Sequence, residues 1–170
     1  TPKPSSAASD VYKRQDNGLV LPPNLAPIQV VIVPIHRNDE QLEAISAQVN
    51  ELVKQLRKLK IAVKYDDRTT HKPGWKFNEY ELKGVPVRIA IGPNDLENGT
   101  YEIARRDTLT KEVVAKDGVV TYIQDLLETI QEEMFTRSLE FRNEHITEVN
   151  TFEEFKDCLL YTSDAADEGL

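Results

Sequence analysis

The sequence predicts an α/β domain in which a five-stranded mixed β-sheet is flanked by three α-helices. Three observations predict it: a continuous apolar, β-branched run at Ile28–Ile35, a helical repeat that follows it, and a later series of short strand-like segments. Helices and strands alternate in the first half, and strands follow one another in the second. The order β-α-β-α-β-β-β-α is typical of one sheet with helices packed on its faces.

The first half contains two predicted strands with a helix between them. Ile28–Ile35 (IQVVIVPI) is apolar at nearly every position, as expected of a central strand covered on both sides. From Asp39, a residue suited to cap a helix, apolar residues recur every three or four positions and predict a helix of about 20 residues. Ile61–Tyr65 predicts a short second strand, and Asp66–Arg68 begins the connection that follows.

The second half begins with a short helix and a third strand. Gly74–Lys83 predicts the helix, which we expect Gly84 to end. Val85–Ile91 alternates in polarity and size and predicts the strand, followed by a turn at Gly92–Asp95. The remaining predicted elements are two strands joined by a tight turn and a last helix, at Thr100–Arg106, Thr108–Ala115 and Val119–Arg137.

Composition and charge exclude several classes of protein. With 39% hydrophobic and 29% charged residues, and no apolar run near the roughly 18 residues of a membrane span, the chain is expected to be cytoplasmic, without a secretory signal or membrane contact. The single cysteine, Cys158, cannot form an internal disulfide. The net charge is −8, and residues 27–136 hold 18 acids and 15 bases. Binding to nucleic acid through counterion release alone is therefore not expected.

The most informative segment is Lys72–Glu97, KPGWKFNEYELKGVPVRIAIGPNDLE. It gathers three aromatic residues, several carboxylates and an arginine around a turn-prone Lys83–Gly84. The edge of an unpaired guanine offers two N–H donors beside a carbonyl acceptor. A carboxylate matches the donors, a guanidinium matches the acceptor, and an aromatic ring stacks on the base. These residue types therefore suit the reading of unpaired bases.

The run GWKFNEYELKGVPVRIAIGP closely resembles the anticodon-binding domain of prolyl-tRNA synthetases of the archaeal and eukaryote-like type, and the likeness covers most of residues 28–137. The resemblance implies recognition of the GG-containing anticodon of tRNA(Pro). It also implies a parent enzyme, expected to be a homodimer, that attaches proline to tRNA with ATP and Mg²⁺. No catalytic residue, metal site or cofactor is expected in this chain, and no DNA partner.

The resemblance also assigns roles to four residues. Phe77 would stack on a base, and Glu81, one helical turn later, would accept guanine N–H groups. Arg88 would donate to guanine O6 or to phosphate, and Asp95 would accept from the second guanine. The family often has lysine before that aspartate, whereas this chain has Asn94, so no phosphate contact is assigned there.

The same residues also have ordinary structural interpretations. From composition alone, Phe77 suits a core, Glu81 a solvated helix face, and Arg88 an ion pair with a neighbouring acid. It is the family resemblance that favours a base-reading site over these interpretations. Trp75 and Tyr80 are expected to be scaffold.

The resemblance also predicts the organisation of the chain. Residues 28–137 are expected to form the anticodon-binding domain, entered through a linker at 16–27 from an absent catalytic domain. Residues 138–157 would begin a truncated C-terminal extension. The composition of residues 1–15, expected to be disordered, and of 158–170 differs abruptly from the rest, and both are expected to be non-native flanks.

Two other classes of function remain open. The fold could be a repurposed protein-interaction or accessory module without tRNA specificity. It could also be a small α/β enzyme, but the sequence offers no nucleophile with a base partner and no metal motif. The three histidines lack metal-ligand spacing and are expected at the surface or at helix caps: His36, His71 and His145.

Overall fold

The structure, a computed structural model, describes residues 19–146, 148 and 150–167. The chain divides into one compact unit that ends at Phe135 and a second that begins at Thr136. The expected disordered flank at residues 1–15 lies outside the described residues, as do the last three residues of the flank expected at 158–170.

The first unit contains a five-stranded sheet, and helices follow its strands. The strands are β1 (Val30–Pro34), β2 (Val63–Tyr65), β3 (Val87–Ile91), β4 (Thr100–Arg105) and β5 (Lys111–Ala115). The helices are α1 (Asp39–Lys58), α2 (Pro73–Leu82), α3 (Pro93–Asn98), α4 (Val119–His145) and α5 (Phe152–Asp167). The unit boundary falls within α4, and α5 belongs to the second unit.

The sheet is mixed, with the order β2-β1-β3-β4-β5. β1 pairs in parallel with both β2 and β3, whereas β3 pairs with β4, and β4 with β5, in antiparallel fashion. β3 is therefore central, and the register places Arg88 between Val31 of β1 and Ala104 of β4. Because side chains on neighbouring strands share a face at matched positions, these three residues face the same way.

The two faces of the sheet are covered unequally. The main core packs α1 and the first half of α4 on one face, and it includes Ile32, Ile45, Ile89 and Ile123, all fully buried. On the other face a smaller apolar cluster lies beneath α2, formed by Val31, Val33, Tyr80 and Val85. Arg88 lies on this second face, so a charged residue of the central strand meets the shorter helix and not the main core.

The predicted α/β fold with a five-stranded mixed sheet is confirmed, but the described residues form five α-helices and not three. The segment Gly92–Asp95, predicted to be a turn, begins α3. Pro93 occupies the first helical position, and the Asp95 carboxylate accepts a hydrogen bond from the Gly92 N–H at 2.8 Å. Proline at that position and an acid two residues later favour helix initiation over a simple turn.

Two other helix boundaries differ from prediction. The N-cap of α1 is Asn38, whose side chain accepts from the Gln41 N–H at 3.0 Å, so that Asp39 lies inside the first turn. α4 continues beyond the predicted end at Arg137 to His145. The predicted end of α2 is confirmed, because Gly84 adopts a left-handed conformation with φ +70° just after the helix.

Candidate nucleic-acid interface

α2 carries two of the four residues assigned to base reading. It begins with Pro73, which suits the first helical position because its missing N–H would have no partner there. Its inner face buries Lys76 and Tyr80, which are four residues apart and therefore one turn from each other. Phe77 and Glu81 share the same spacing on the neighbouring stripe of the helix. The helix thus has a fixed inner side and an adjoining side that faces the sheet residue Arg88.

The structure brings Phe77, Glu81 and Arg88 into mutual contact. The guanidinium of Arg88 lies over the Phe77 ring, 3.9 Å from its centroid, and Arg88 Nη1 donates to Glu81 Oε1 at 3.1 Å. Phe77 is half-buried and also packs against the small cluster beneath α2. The ordinary interpretations of these residues are therefore realised as well: Phe77 packs, and Arg88 pairs with an acid.

Arg88 is held tightly but retains hydrogen-bonding capacity. The residue is buried, and within the described part of the chain its Nε atom is buried without a hydrogen-bond partner. An unsatisfied donor on a buried cation is costly, so its occurrence at the edge of a surface depression needs an explanation. Stacking on an aromatic ring and pairing with one carboxylate keep the guanidinium plane in place while part of its donor fork stays unused.

Asp95 lies apart from the other three candidates. It belongs to α3, which follows the C-terminal end of β3, whereas Arg88 is near the start of that strand. Its carboxylate accepts from the Gly92 N–H, and the side chain is partly exposed. A second base would therefore have to lie about one strand length from the first for Asp95 to read it.

Arg106 is a site-forming residue that the sequence analysis missed. It is buried, its Nε donates to the backbone carbonyl of Glu81 at 3.1 Å, and its N–H donates to the carbonyl of Pro86 at 2.9 Å. The guanidinium adds a second tie at the Glu81 carbonyl, in the last turn of α2, which also accepts from the Gly84 N–H at 3.1 Å. The consecutive arginines Arg105 and Arg106 at the end of β4 were a signal that could have drawn attention to it.

A buried ionic cluster around Asp66 was also missed. Arg68 donates to both Asp66 carboxylate oxygens, at 2.8 and 2.6 Å, and the Tyr80 hydroxyl donates to Oδ2 at 3.0 Å. Lys76 Nζ donates to the Asp66 backbone carbonyl at 2.9 Å and lies 3.5 Å from Oδ1. The rim of the cluster is completed by Glu79, which accepts from Arg68 at 2.6 Å.

The cluster shifts the titration of its members. Burial alone would raise the pKa of the Asp66 carboxyl, but hydrogen bonds from Arg68 and Tyr80 outweigh it and hold that pKa well below its ordinary value. Burial, together with the hydrogen bond to Asp66, raises the pKa of the Tyr80 hydroxyl to about 12. At neutral pH the Asp66 carboxyl is therefore ionised and the Tyr80 hydroxyl that binds it is neutral.

Trp75 does not have the scaffold role expected for it. Its side chain is 48% exposed, and the ring stacks on His71 at a centroid distance of 3.8 Å. Tyr80, in contrast, is buried in the small cluster beneath α2, as expected of scaffold. Helical spacing could have separated the two, because residues five apart on a helix lie on different faces and only one of them can face the sheet.

The surface next to Arg88 is open. Beyond α2, strands β4 and β5 present Glu102, Ala104, Lys111 and Val113 on the same face as Arg88. Val113 is exposed, and the exposed Leu109 lines the depression beside Arg88. A partly apolar sheet face next to a stacked guanidinium is a suitable platform for unpaired bases.

In the described part of the chain, no group of three or more histidine, cysteine or acidic side chains is arranged to hold a metal ion. None of the described helices combines the length and apolar character needed to cross a membrane.

Several known proteins resemble this chain over most of its length. Residues 29–126 match the protein family described as "Anticodon binding domain". The chain is 71% identical over 144 residues to the proline--tRNA ligase of Flavobacterium johnsoniae, and 61% identical over 144 residues to that of Christiangramia forsetii. It is 58% identical over 142 residues to the enzyme of Porphyromonas gingivalis.

These matches cover 84–85% of this chain but 29% of each relative. The resemblance to prolyl-tRNA synthetases that residues 72–97 predicted is confirmed. Its assignment to the archaeal and eukaryote-like type is not confirmed, since the three relatives named here come from bacteria.

Proposed function

Since the chain belongs to the anticodon-binding domain family, we propose that it is the anticodon-reading part of a proline--tRNA ligase and binds the GG-containing anticodon of tRNA(Pro). The parent enzyme would attach proline to that tRNA in a reaction that uses ATP and Mg²⁺. In this proposal the chain supplies recognition and none of the catalytic residues, and the residues that hold ATP and Mg²⁺ lie elsewhere in the parent. We further propose that the parent acts as a homodimer in the cytoplasm.

One observation carries the proposal: the mutual contact of Phe77, Glu81 and Arg88 beside an open sheet face. A guanidinium donates to guanine O6 and N7, and a carboxylate accepts from guanine N1–H and N2–H. A domain with only structural needs would gain nothing from a buried arginine donor without a partner.

Binding would rearrange these three groups. The Arg88 guanidinium covers one face of the Phe77 ring in the structure. We propose that an entering guanine takes that place on the ring, and that Arg88 turns toward its O6 atom. Glu81, whose side chain is about half accessible to solvent, would accept from the Watson–Crick N–H groups of the same base. The cation–π contact is thereby exchanged for a base stack and hydrogen bonds of comparable worth.

The second guanine is assigned to Asp95. The partly exposed carboxylate would keep its bond from the Gly92 N–H and accept from the base with its other oxygen. Recognition by two separated carboxylates and one guanidinium suits a domain in which acids outnumber bases. The phosphate contacts that strengthen tRNA binding would come from the remainder of the parent enzyme.

A titration of the full chain with two RNA hairpins tests the proposal. One hairpin presents the proline anticodon loop, and the other is identical except that adenines replace both anticodon guanines. We expect tighter binding of the first, by about 1–3 kcal/mol for each replaced base. Equal binding of both hairpins would contradict the proposal and favour the alternative, a protein-interaction module built on the same fold.

A further inference from the structure

We propose that Asp66 is a positioning residue for the base-recognition site, because it fixes how α2 lies on the sheet and so sets where Phe77 and Glu81 stand. The inference rests on the proposed function, since it concerns the accuracy of that recognition. Asp66 itself lies beneath the helix and is not expected to touch RNA.

The backbone of Asp66 is bonded to the sheet, and its side chain is bonded to α2. It directly follows β2, and its backbone N–H donates to the carbonyl of Ile32 in β1 at 2.9 Å. Its side chain is fully buried. The carboxylate is therefore a fixed point on the sheet, and any group bound to it shares that position.

Two residues of α2 are bound to this fixed point. Lys76 contacts the backbone carbonyl and the carboxylate of Asp66, and Tyr80 donates to the carboxylate one helical turn later. Contacts at two points one turn apart fix both the rotation of a helix about its axis and its position along that axis. Phe77 and Glu81 each follow one of these anchored residues by one position, so both move with any rotation of the helix.

A second clamp holds the end of the helix. Arg106 donates to the Glu81 carbonyl. Just after the helix, the Gly84 carbonyl accepts from the Leu21 N–H at 3.2 Å. The helix is thus tied to β2 through Asp66 and to the end of β4 through Arg106. Arg88 belongs to β3, the strand that lies between β1 and β4 in the sheet.

The energetics favour a positioning role over simple stabilisation. Taking a carboxylate and an ammonium group out of water costs several kcal/mol, and apolar residues of similar size often stabilise a fold as well or better. A buried pair of this kind instead imposes one geometry, because any displacement leaves a charge without its partner. Here Asp66 and Lys76 are both almost completely buried, and the element that they fix is the one that carries the readers.

The most sensitive test removes a single hydroxyl. Tyr80→Phe deletes the helix-to-Asp66 hydrogen bond and keeps the ring in its cluster. Tyr101→Phe is the matched control: Tyr101 is also buried, and its hydroxyl accepts one hydrogen bond, from Gln48 Nε2 at 2.7 Å. It lies on the opposite face of the sheet, toward α1, and makes no contact that bears on α2. Asp66→Asn, which keeps the shape of the side chain but not its charge, is the stronger perturbation.

The readout is the ratio of affinities for the guanine and adenine hairpins described above, with the thermal midpoint recorded for each variant. A variant that is partly unfolded binds both hairpins more weakly by the same factor, so the ratio is insensitive to stability alone. A displaced α2 moves Phe77 and Glu81 and lowers the ratio. We expect the ratio to fall about threefold to tenfold in Tyr80→Phe, because a displaced helix weakens about one guanine hydrogen bond made by its readers, and further in Asp66→Asn. We expect it to stay unchanged in Tyr101→Phe.

The outcomes separate this inference from the proposed function. If wild-type protein does not discriminate between the hairpins, the proposed function fails, and the inference fails with it. If wild-type protein discriminates and Tyr80→Phe does so equally well, Asp66 is a structural residue only and the positioning inference is overturned, while the proposed function stands. Should Asp66→Asn not fold, the Tyr80→Phe and Tyr101→Phe pair still decides the question.

Discussion

Glu81 Oε1 and Arg88 Nη1 pair at 3.1 Å, and the two side chains differ strongly in exposure. Solvent reaches 46% of the Glu81 side chain but only 10% of the Arg88 side chain. The carboxylate can exchange its partner for a ligand at little cost, because water already competes for it. The guanidinium is enclosed, and in the proposed complex it leaves the Phe77 ring only because an entering base covers the ring in its place. The pair therefore has one solvated member and one member that moves only with the ligand, and the first two predictions depend on this difference.

Arg88→Ala is expected to weaken binding of the proline anticodon hairpin by about 1–3 kcal/mol, the usual scale for a base contact. Arg88→Lys should recover only part of this, because an ammonium group keeps the charge but lacks the planar donor fork. Binding can be measured by calorimetry or by anisotropy of a labelled hairpin. Unchanged affinity in Arg88→Ala would remove this residue from the site.

Glu81→Gln is expected to lower discrimination between guanine and adenine hairpins with little change in the thermal midpoint. The amide cannot accept from two guanine N–H donors as a carboxylate does. Its oxygen can still accept from the buried Arg88 guanidinium, which limits the loss of stability. Glu51→Gln is the control, since that exposed acid is on α1, on the opposite face of the sheet, and accepts from Gln55 one turn along its own helix. A similar loss of discrimination in both variants would argue against a specific role for Glu81.

Two substitutions separate the structural and reading roles of Asp95. Asp95→Asn keeps an oxygen that can accept from the Gly92 N–H, so the start of α3 should persist while the proposed guanine contact weakens. Asp95→Ala removes the cap as well and should cost a further 0.5–2 kcal/mol, roughly, of stability. Circular dichroism melts and hairpin titrations measure the two effects. If Asp95→Asn binds both hairpins like wild type, Asp95 is a cap and not a reader.

Acid should weaken the attachment of α2 through Asp66. Its pKa is depressed in the folded protein by Arg68 and Tyr80, with Lys76 also facing it, so the stabilisation is fully present above the unfolded value of about 3.9. It is lost as the pH falls from that value through the lower folded pKa, because the unfolded state then binds the proton first. The urea midpoint should therefore fall more steeply with decreasing pH in wild type than in Asp66→Asn. The measurements should run from pH 6 downward, because the loss spreads over the interval between the two pKa values. Parallel curves would contradict the shifted pKa.

Gly84→Ala should destabilise the protein more than Gly99→Ala. Both glycines have left-handed backbones, with φ +70° and +63°, so each substitution carries the same conformational cost of about 1–2 kcal/mol. A Cβ at Gly84 would also lie 2.9 Å from Leu19, whereas a Cβ at Gly99 meets nothing within 4 Å. The difference between the two free energies of unfolding isolates this contact. An equal loss of stability in both variants would show that Leu19 moves away from the new Cβ without measurable cost.

Much of the fold was predictable because strong periodic signals agree with it. The apolar run of β1 and the repeat in α1 fix the two elements that build the main core. α3 was missed because Gly92–Asp95 contains residues that favour turns, although Pro93 followed by Asp95 is equally a helix start. α4 was predicted too short because its apolar repeat fades after Met134 while its polar residues still favour helix.

The candidate site was predictable only in part. The assignment of Phe77, Glu81 and Arg88 to one place needed the family resemblance, because nothing in the sequence shows which strand lies beneath α2. Lys76 and Asp66 were missed because lysine and aspartate are rarely buried, and their pairing depends on a contact between segments ten residues apart. Trp75 was misassigned because its apolar ring suggests burial, whereas its position on α2 directs it outward.

The outward position of Trp75 has a practical consequence. It is the only tryptophan in the chain, and it lies on the helix that carries Phe77 and Glu81. Its half-exposed ring, in contact with His71, makes its ultraviolet emission sensitive to changes near that one helix. The protein therefore carries its own optical label at the place where recognition is proposed, and binding and helix displacement can be followed in unmodified material.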